Sequence, residues 1–190
     1  RGSWGSPGAF RYAHIIEDAR AVLAHLRRPD VAAKLAVDTS RIVLAGHSMG
    51  GWVTTMVAAD DANLAGAILI SASNRGLAGL LPRAELIARA KANSDALAGT
   101  SPEISADELI ANATAFDSRR VAKGLARMPL LVLTSNDGFK AHSDPLVAAA
   151  RAGGGKVTEA HQDTDHSWSD ARLALATLVH DWLQALPHQP

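Results

Sequence analysis

The chain contains no cysteine. That excludes disulfides, thiolate-held metals and a cysteine nucleophile, and it leaves the compartment open, because a protein without cysteine tolerates either redox environment. Charge of one sign is also lacking: 19 basic residues balance 19 acidic ones. No basic run is visible, so the electrostatic basis for gripping nucleic acid or an anionic membrane is absent. A small-molecule or peptide substrate of little net charge suits such a surface. No apolar run approaches the roughly 18 residues that a membrane-spanning helix needs. Internal repeats are missing too, and the only low-complexity stretch is the short run Gly153 to Gly155. The chain starts at Arg1 in the segment RGSWGSPG, which reads as a glycine-rich loop and not as a leader, so any targeting signal is expected upstream.

What is present is apolar and periodic. With 190 residues, 47% hydrophobic and 20% charged, the chain has the material for one domain with a sizeable core. Four short aliphatic runs bounded by turn residues predict buried strands at Arg41 to Ala45, Ala67 to Ser71, Leu130 to Thr134 and Val157 to Ala160. Helical spacing of Ile15, Ile16, Ala19, Val22, Leu23 and Leu26 predicts a helix over Ala13 to Arg28, stopped by Pro29. A second helix should open at Met49. A last one should run from about Ser169 to Leu186 with Leu173, Leu178, Trp182 and Leu186 on one side. Strands alternating with amphipathic helices predict an α/β fold, a mostly parallel sheet between two helical layers. From Asn74 to Met128 the alternation fails. Helical patches at Arg83 to Leu97, Ala106 to Ala115 and Ser118 to Arg127 read there as a cap inserted between core segments 1–73 and 129–190.

The segment IVLAGHSMGG, Ile42 to Gly51, poses the chemical question. If IVLA is a strand and the residues after Ser48 open a helix, Ser48 sits in a turn sharp enough to force its backbone into strain. Gly46 and Gly50 are then expected to be small because a Cβ at either place would clash. The hydroxyl is pushed out above the sheet, and the Met49 amide points at any anion developing beside it. A glycine-rich turn with a capping serine is the alternative.

This G-x-S-x-G pattern resembles the nucleophile elbow of the α/β-hydrolase superfamily. RGSWGSPGAF, GHSMGGW, PLLVLTSNDG and TDHSW together look most like its prolyl-oligopeptidase-type branch of dipeptidyl and acylaminoacyl peptidases and its esterases, over nearly the whole chain. The methionine after the serine is commoner in esterase members than in the peptidases. The resemblance implies a chain order of serine, acid, histidine. Asp137 follows the strand PLLVLTS and His166 follows the last predicted strand, so the expected set is Ser48, Asp137 and His166, with Met49 as an oxyanion donor. Asp144 reads as a helix cap rather than the acid, and His161 as a surface or packing residue of its strand. His47 is expected to pack beside the nucleophile. Trp4 and Tyr12 line the substrate site or serve packing. The cluster His161, Asp163, Asp165 and His166 matches no familiar metal spacing, and no cofactor is expected.

The resemblance implies acyl transfer to Ser48 from an ester or amide. A thioesterase or acyltransferase on the same fold, and a non-catalytic binding module, remain open alternatives. A dehalogenase or epoxide hydrolase would carry aspartate in place of Ser48. Such folds usually have further strands ahead of the nucleophile, along with a loop that donates a second oxyanion amide. The chain therefore reads as the carboxyl-terminal part of a longer hydrolase, or a truncated product with impaired activity, whose first strand leaves a bare edge.

Overall fold

The computed structural model describes residues 1–92 and 94–187. Its elements run α1 (Tyr12–Leu26), α2 (Pro29–Leu35), β1 (Val43–His47), α3 (Met49–Ala58), β2 (Gly66–Ile70), α4 (Arg75–Ala78), α5 (Arg83–Lys91), α6 (Pro102–Ala111), β3 (Leu130–Thr134), α7 (Lys140–Ala152), β4 (Val157–His161) and α8 (Arg172–Gln184). Short 3₁₀ turns occupy Thr39–Arg41, Ser118–Arg120 and Ala122–Arg127. The chain divides into two compact units, one of Arg1–Arg28 with Asn74–Asp117, the other of Pro29–Ser73 with Ser118–Pro190.

The second unit holds a four-stranded sheet in the order β1-β2-β3-β4, parallel throughout. Parallel strands buried on both faces need no polar alternation. That is the pattern of GAILI in β2 and LLVLT in β3, where nearly every residue is buried. The outer strands β1 and β4 are only partly covered. Over one face, α8 and the residues at its two ends pack Ala171, Trp182 and the half-buried Leu175, Leu178, Val179, Leu183 and Leu186 against Ile68, Leu131 and Leu133. These positions recur three or four apart, the spacing of one helical stripe. Leu173 lies off that stripe and is 85% exposed, correcting its expected place on the packed side. Gly66 admits this packing, since a Cβ there would stand 2.7 Å from the Trp182 ring.

The first unit is helical. In α1, Tyr12, Ile16 and Leu23 are buried, whereas Val22, a step of about 100° from Leu23 around the helix, is exposed, against the expectation. Glu108 of α6 accepts the amides of Tyr12 and Ala13 through its two oxygens and so caps α1. Asn74 caps α4 by accepting from the amides of Gly76 and Leu77.

Four further expectations need correction. The β1 strand starts and ends two residues later than the apolar run suggests, because its pairing with β2 continues through His47↔Ile70. Pro29 does open a break after α1, but it also starts α2, as proline at a first helical position can. Asp144 caps nothing: α7 begins at Lys140, and Asp144 pairs with that lysine inside the helix. The helix expected over Arg83 to Leu97 ends at Lys91, and Asn93 within that range lies outside the described residues.

Candidate active site

All four strands end at the same edge of the sheet, because they are parallel. In open parallel sheets the carboxyl edge is where ligands are met, and the chemistry-bearing residues of this unit gather there. Ser48 follows β1 directly, at φ 56° and ψ −114°, conformations that a residue with a Cβ adopts only under constraint. The constraint is visible. Its N–H donates to the Ile70 carbonyl at 2.9 Å, and its own carbonyl accepts from the Ser73 amide at 3.0 Å and the Ser73 hydroxyl at 3.2 Å. The hydroxyl of Ser48 caps no helix amide, so the alternative reading of a capping serine does not hold.

Two glycines make room for the turn, though not the two expected. A Cβ on Gly46 would lie 2.0 Å from the Gly50 carbonyl oxygen, and one on Gly51 would lie 2.6 Å from the Ala72 Cβ. A Cβ on Gly50 meets nothing within 4 Å, so the expected clash at Gly50 is corrected: the close approach is borne by Gly46 and Gly51.

Asp137 and His166 meet. Nδ1 of His166 stands 2.8 Å from Oδ2 of Asp137, with the carboxylate 3% exposed and the imidazole 37%. An ionised carboxylate only accepts, so the proton of this bond resides on Nδ1 and the other nitrogen, Nε2, is left as the basic one. The other carboxylate oxygen accepts the Phe139 amide at 2.8 Å. Burial pushes the Asp137 carboxyl up. Hydrogen bonds from His166, the Phe139 amide, Ser71 and Ser135 outweigh that and hold it below its ordinary value. Behind it lies a buried chain of donors: Ser71 and Ser135 hydroxyls 2.9 Å apart, with the Trp168 indole N–H donating to Ser71 at 3.2 Å.

His47 ties the elbow to the histidine loop. Its Nε2 donates to the His166 carbonyl at 2.7 Å, and the two rings lie 4.6 Å apart between centroids. Phe139 meets the His166 ring edge-on at 5.2 Å. His161 cannot compete as a base, since Nδ1 pairs with the Thr134 hydroxyl at 2.9 Å and Nε2 with Asn136 Oδ1 at 3.1 Å. Asp163 accepts from Asn136 and Asp165 from the Ser169 amide, so the acidic cluster near His166 is spent on loop structure. Met49 is the first residue of α3, where helix geometry leaves the amide without an intrahelical acceptor. In the other unit, Trp4 is 88% exposed, while Tyr12 is buried with its ring edge-on to Phe10.

Residues 1–182 match the model of the alpha/beta hydrolase family. The chain belongs to that family. Solved structures share this family member's fold at low identity. A putative dienelactone hydrolase from Klebsiella pneumoniae is 16% identical with a TM-score of 0.57, over 92% of this chain and 62% of its own. The enol-lactonase from Burkholderia xenovorans is 21% identical with a TM-score of 0.59, over 97% and 78%. The acylaminoacyl peptidase of Pyrococcus horikoshii is 15% identical with a TM-score of 0.62, over 94% of this chain and 28% of its own. This family member thus spans about three fifths of the length of the first of these, 62%. No curated protein matches it. Among its described residues, no helix is long and apolar enough to cross a membrane.

Ser71, Ser73, Ser135 and Trp168 escaped the sequence reading. Serines at the ends of β2 and β3 look like ordinary turn residues, and only the pairing of those strands brings Ser71 and Ser135 to Asp137.

Proposed function

We propose that the protein is a serine hydrolase that breaks a carboxylic ester or amide bond through an acyl-enzyme on Ser48. The observation that carries this reading is the buried Asp137 carboxylate on Nδ1 of His166 at 2.8 Å, at the sheet edge where Ser48 is held at φ 56°. Nε2 of His166 takes the proton of the Ser48 hydroxyl as its oxygen bonds to the substrate carbonyl carbon. The imidazolium that results is stabilised by Asp137 and returns the proton to the departing alcohol or amine. Met49 donates its amide to the oxyanion of the tetrahedral intermediate. Water, deprotonated by the same imidazole, then attacks the acyl carbon and restores the Ser48 hydroxyl. The names of the three solved relatives, a peptidase and two hydrolases of lactone type, fit attack on an acyl carbon without choosing between ester and amide.

A fluorophosphonate probe tests the assignment. Wild type should label at Ser48, Ser48→Ala should not label, and Asp137→Asn should label on the order of ten thousandfold more slowly through loss of the correct histidine tautomer. Labelling that survives Ser48→Ala removes Ser48 as the nucleophile. Turnover of a nitrophenyl ester against the matching nitroanilide then separates esterase from amidase chemistry.

A further inference from the structure

Arg75 is a cation that meets no carboxylate among the described residues. Its guanidinium lies 5.7 Å from the centroid of the Tyr12 ring. Its Nε is buried and has no hydrogen-bond partner among the described residues. Solvent still reaches part of the side chain, which is neither fully buried nor exposed. Burial draws the guanidinium below its ordinary pKa, with the Tyr12 phenol opposing it.

Most acids of the same compact unit are engaged elsewhere. Asp18 and Glu17 receive Arg1, Glu85 receives Arg89, and Asp107 receives Arg83. Asp117 accepts from Asn74, and both oxygens of Glu108 accept the α1 amides. A partly desolvated charge without a counter-ion is costly, and proteins seldom keep one without a use.

The backbone beneath Arg75 is fixed on both sides. Asn74 bridges Asp117 and the first amides of α4. A Cβ on Gly76 would lie 2.3 Å from the Asp117 nitrogen, and one on Gly79 would lie 2.2 Å from the Leu109 oxygen, so α4 is pressed against its neighbours at both points. The Tyr12 backbone is anchored by its N–H, which donates to the Glu108 carboxylate. A guanidinium set in advance on a rigid element binds an anion with little ordering left to do.

We propose that Arg75, seated on Tyr12, is a binding subsite for a carboxylate borne on an apolar group. A single planar fork with one positive charge matches one carboxylate, whereas a phosphate dianion would call for a second cation. Arg75 stands at the rim of an apolar cluster, over the buried Tyr12 ring that in turn packs edge-on to buried Phe10, and that low-polarity surround favours an apolar body on the ligand. The subsite is argued without reference to Ser48, and its test reads binding rather than turnover.

The probe is sodium benzoate, compared with its neutral isostere benzamide and with sodium phosphate, at constant ionic strength. The readout is the thermal unfolding midpoint of the whole chain. Benzoate should raise the midpoint saturably, and benzamide and phosphate should not. In Arg75→Gln the half-saturating benzoate concentration should rise about tenfold or more, the loss of a charge-assisted hydrogen bond. Arg75→Lys, which keeps the charge without the fork, should fall between. Equal responses to benzoate and benzamide in wild type overturn the proposal even if neither variant folds. So does a benzoate response that Arg75→Gln leaves unchanged, and a phosphate response exceeding that to benzoate overturns the carboxylate assignment.

Discussion

Ser48, Ser71 and Trp168 sit at φ 56°, 45° and 55°, and all three follow or flank the carboxyl edge of the sheet. Each such residue costs about 1–3 kcal/mol and persists only where its surroundings dictate it. For Ser71 and Trp168 the surroundings are each other, through the indole N–H on the Ser71 hydroxyl. The same hydroxyl, with Ser135, helps hold Asp137 acidic. A carboxyl whose folded pKa is depressed adds stability above its unfolded pKa, and that stability is lost as the pH falls through the folded value. Urea unfolding of wild type from neutral into acid pH should therefore show a decline below the ordinary carboxylate range that is missing from Asp137→Asn; parallel curves would deny Asp137 this role. Ser71→Ala should cost about 1–3 kcal/mol by leaving the Trp168 N–H buried and unpaired. Trp168→Phe placed on top of it should cost less than the two single losses added together. It should also move the acid limb of labelling toward higher pH, which a purely structural role for Ser71 would leave in place.

Among the elements, the strand-to-helix turn makes the sharpest demand on sequence. Gly46→Ala puts a methyl 2.0 Å from the Gly50 oxygen, which backbone must move to relieve, at a cost of about 1–3 kcal/mol or more. Gly50→Ala enters open space early in α3 and should hold stability or raise it by up to about 1 kcal/mol. Thermal unfolding of the two variants should therefore split in sign, and equal losses would refute the assignment of the close approach to Gly46. This contrast was hidden in the letters, where the two glycines flank Ser48 alike. The central strands were legible to within a residue, because β2 and β3 are buried on both faces and read as unbroken aliphatic runs. The edge strand β1 was shifted by two residues and β4 ran one residue longer than expected, since hydrogen bonding and not apolarity carries β1 to His47 and β4 to His161. The four-residue α4 and the start of α7 were missed. One is too short for periodicity, and the other runs through Pro145, which normally argues for a break. That Ser48 follows a strand of the sheet and that Asp137 and His166 lie after later ones could be read from motif and chain order. The residues that restrain them could not, because Ser73 reaches the Ser48 carbonyl only through the fold.

At the scale of the whole chain, two features bear on how copies behave together. The formal net charge is +0 at pH 7 and the sequence pI is about 7.3, so repulsion between copies is weakest near neutrality. In the same chain β1 is the outermost strand of its sheet, paired on one side by β2, and its central Ala45 is exposed. An edge strand of small apolar residues without a guarding charge is a template for pairing with another chain. Light scattering across pH should peak near 7.3. Ala45→Lys separates the two causes. A lysine added to the chain shifts the pI upward whatever the mechanism, so if neutrality alone drives association the peak should move with it at unchanged height. If the β1 edge is the template, the peak should also shrink, because an ammonium on the strand must be desolvated before a second strand can pair there. A peak that moves without shrinking would clear the edge and leave net charge as the sole cause.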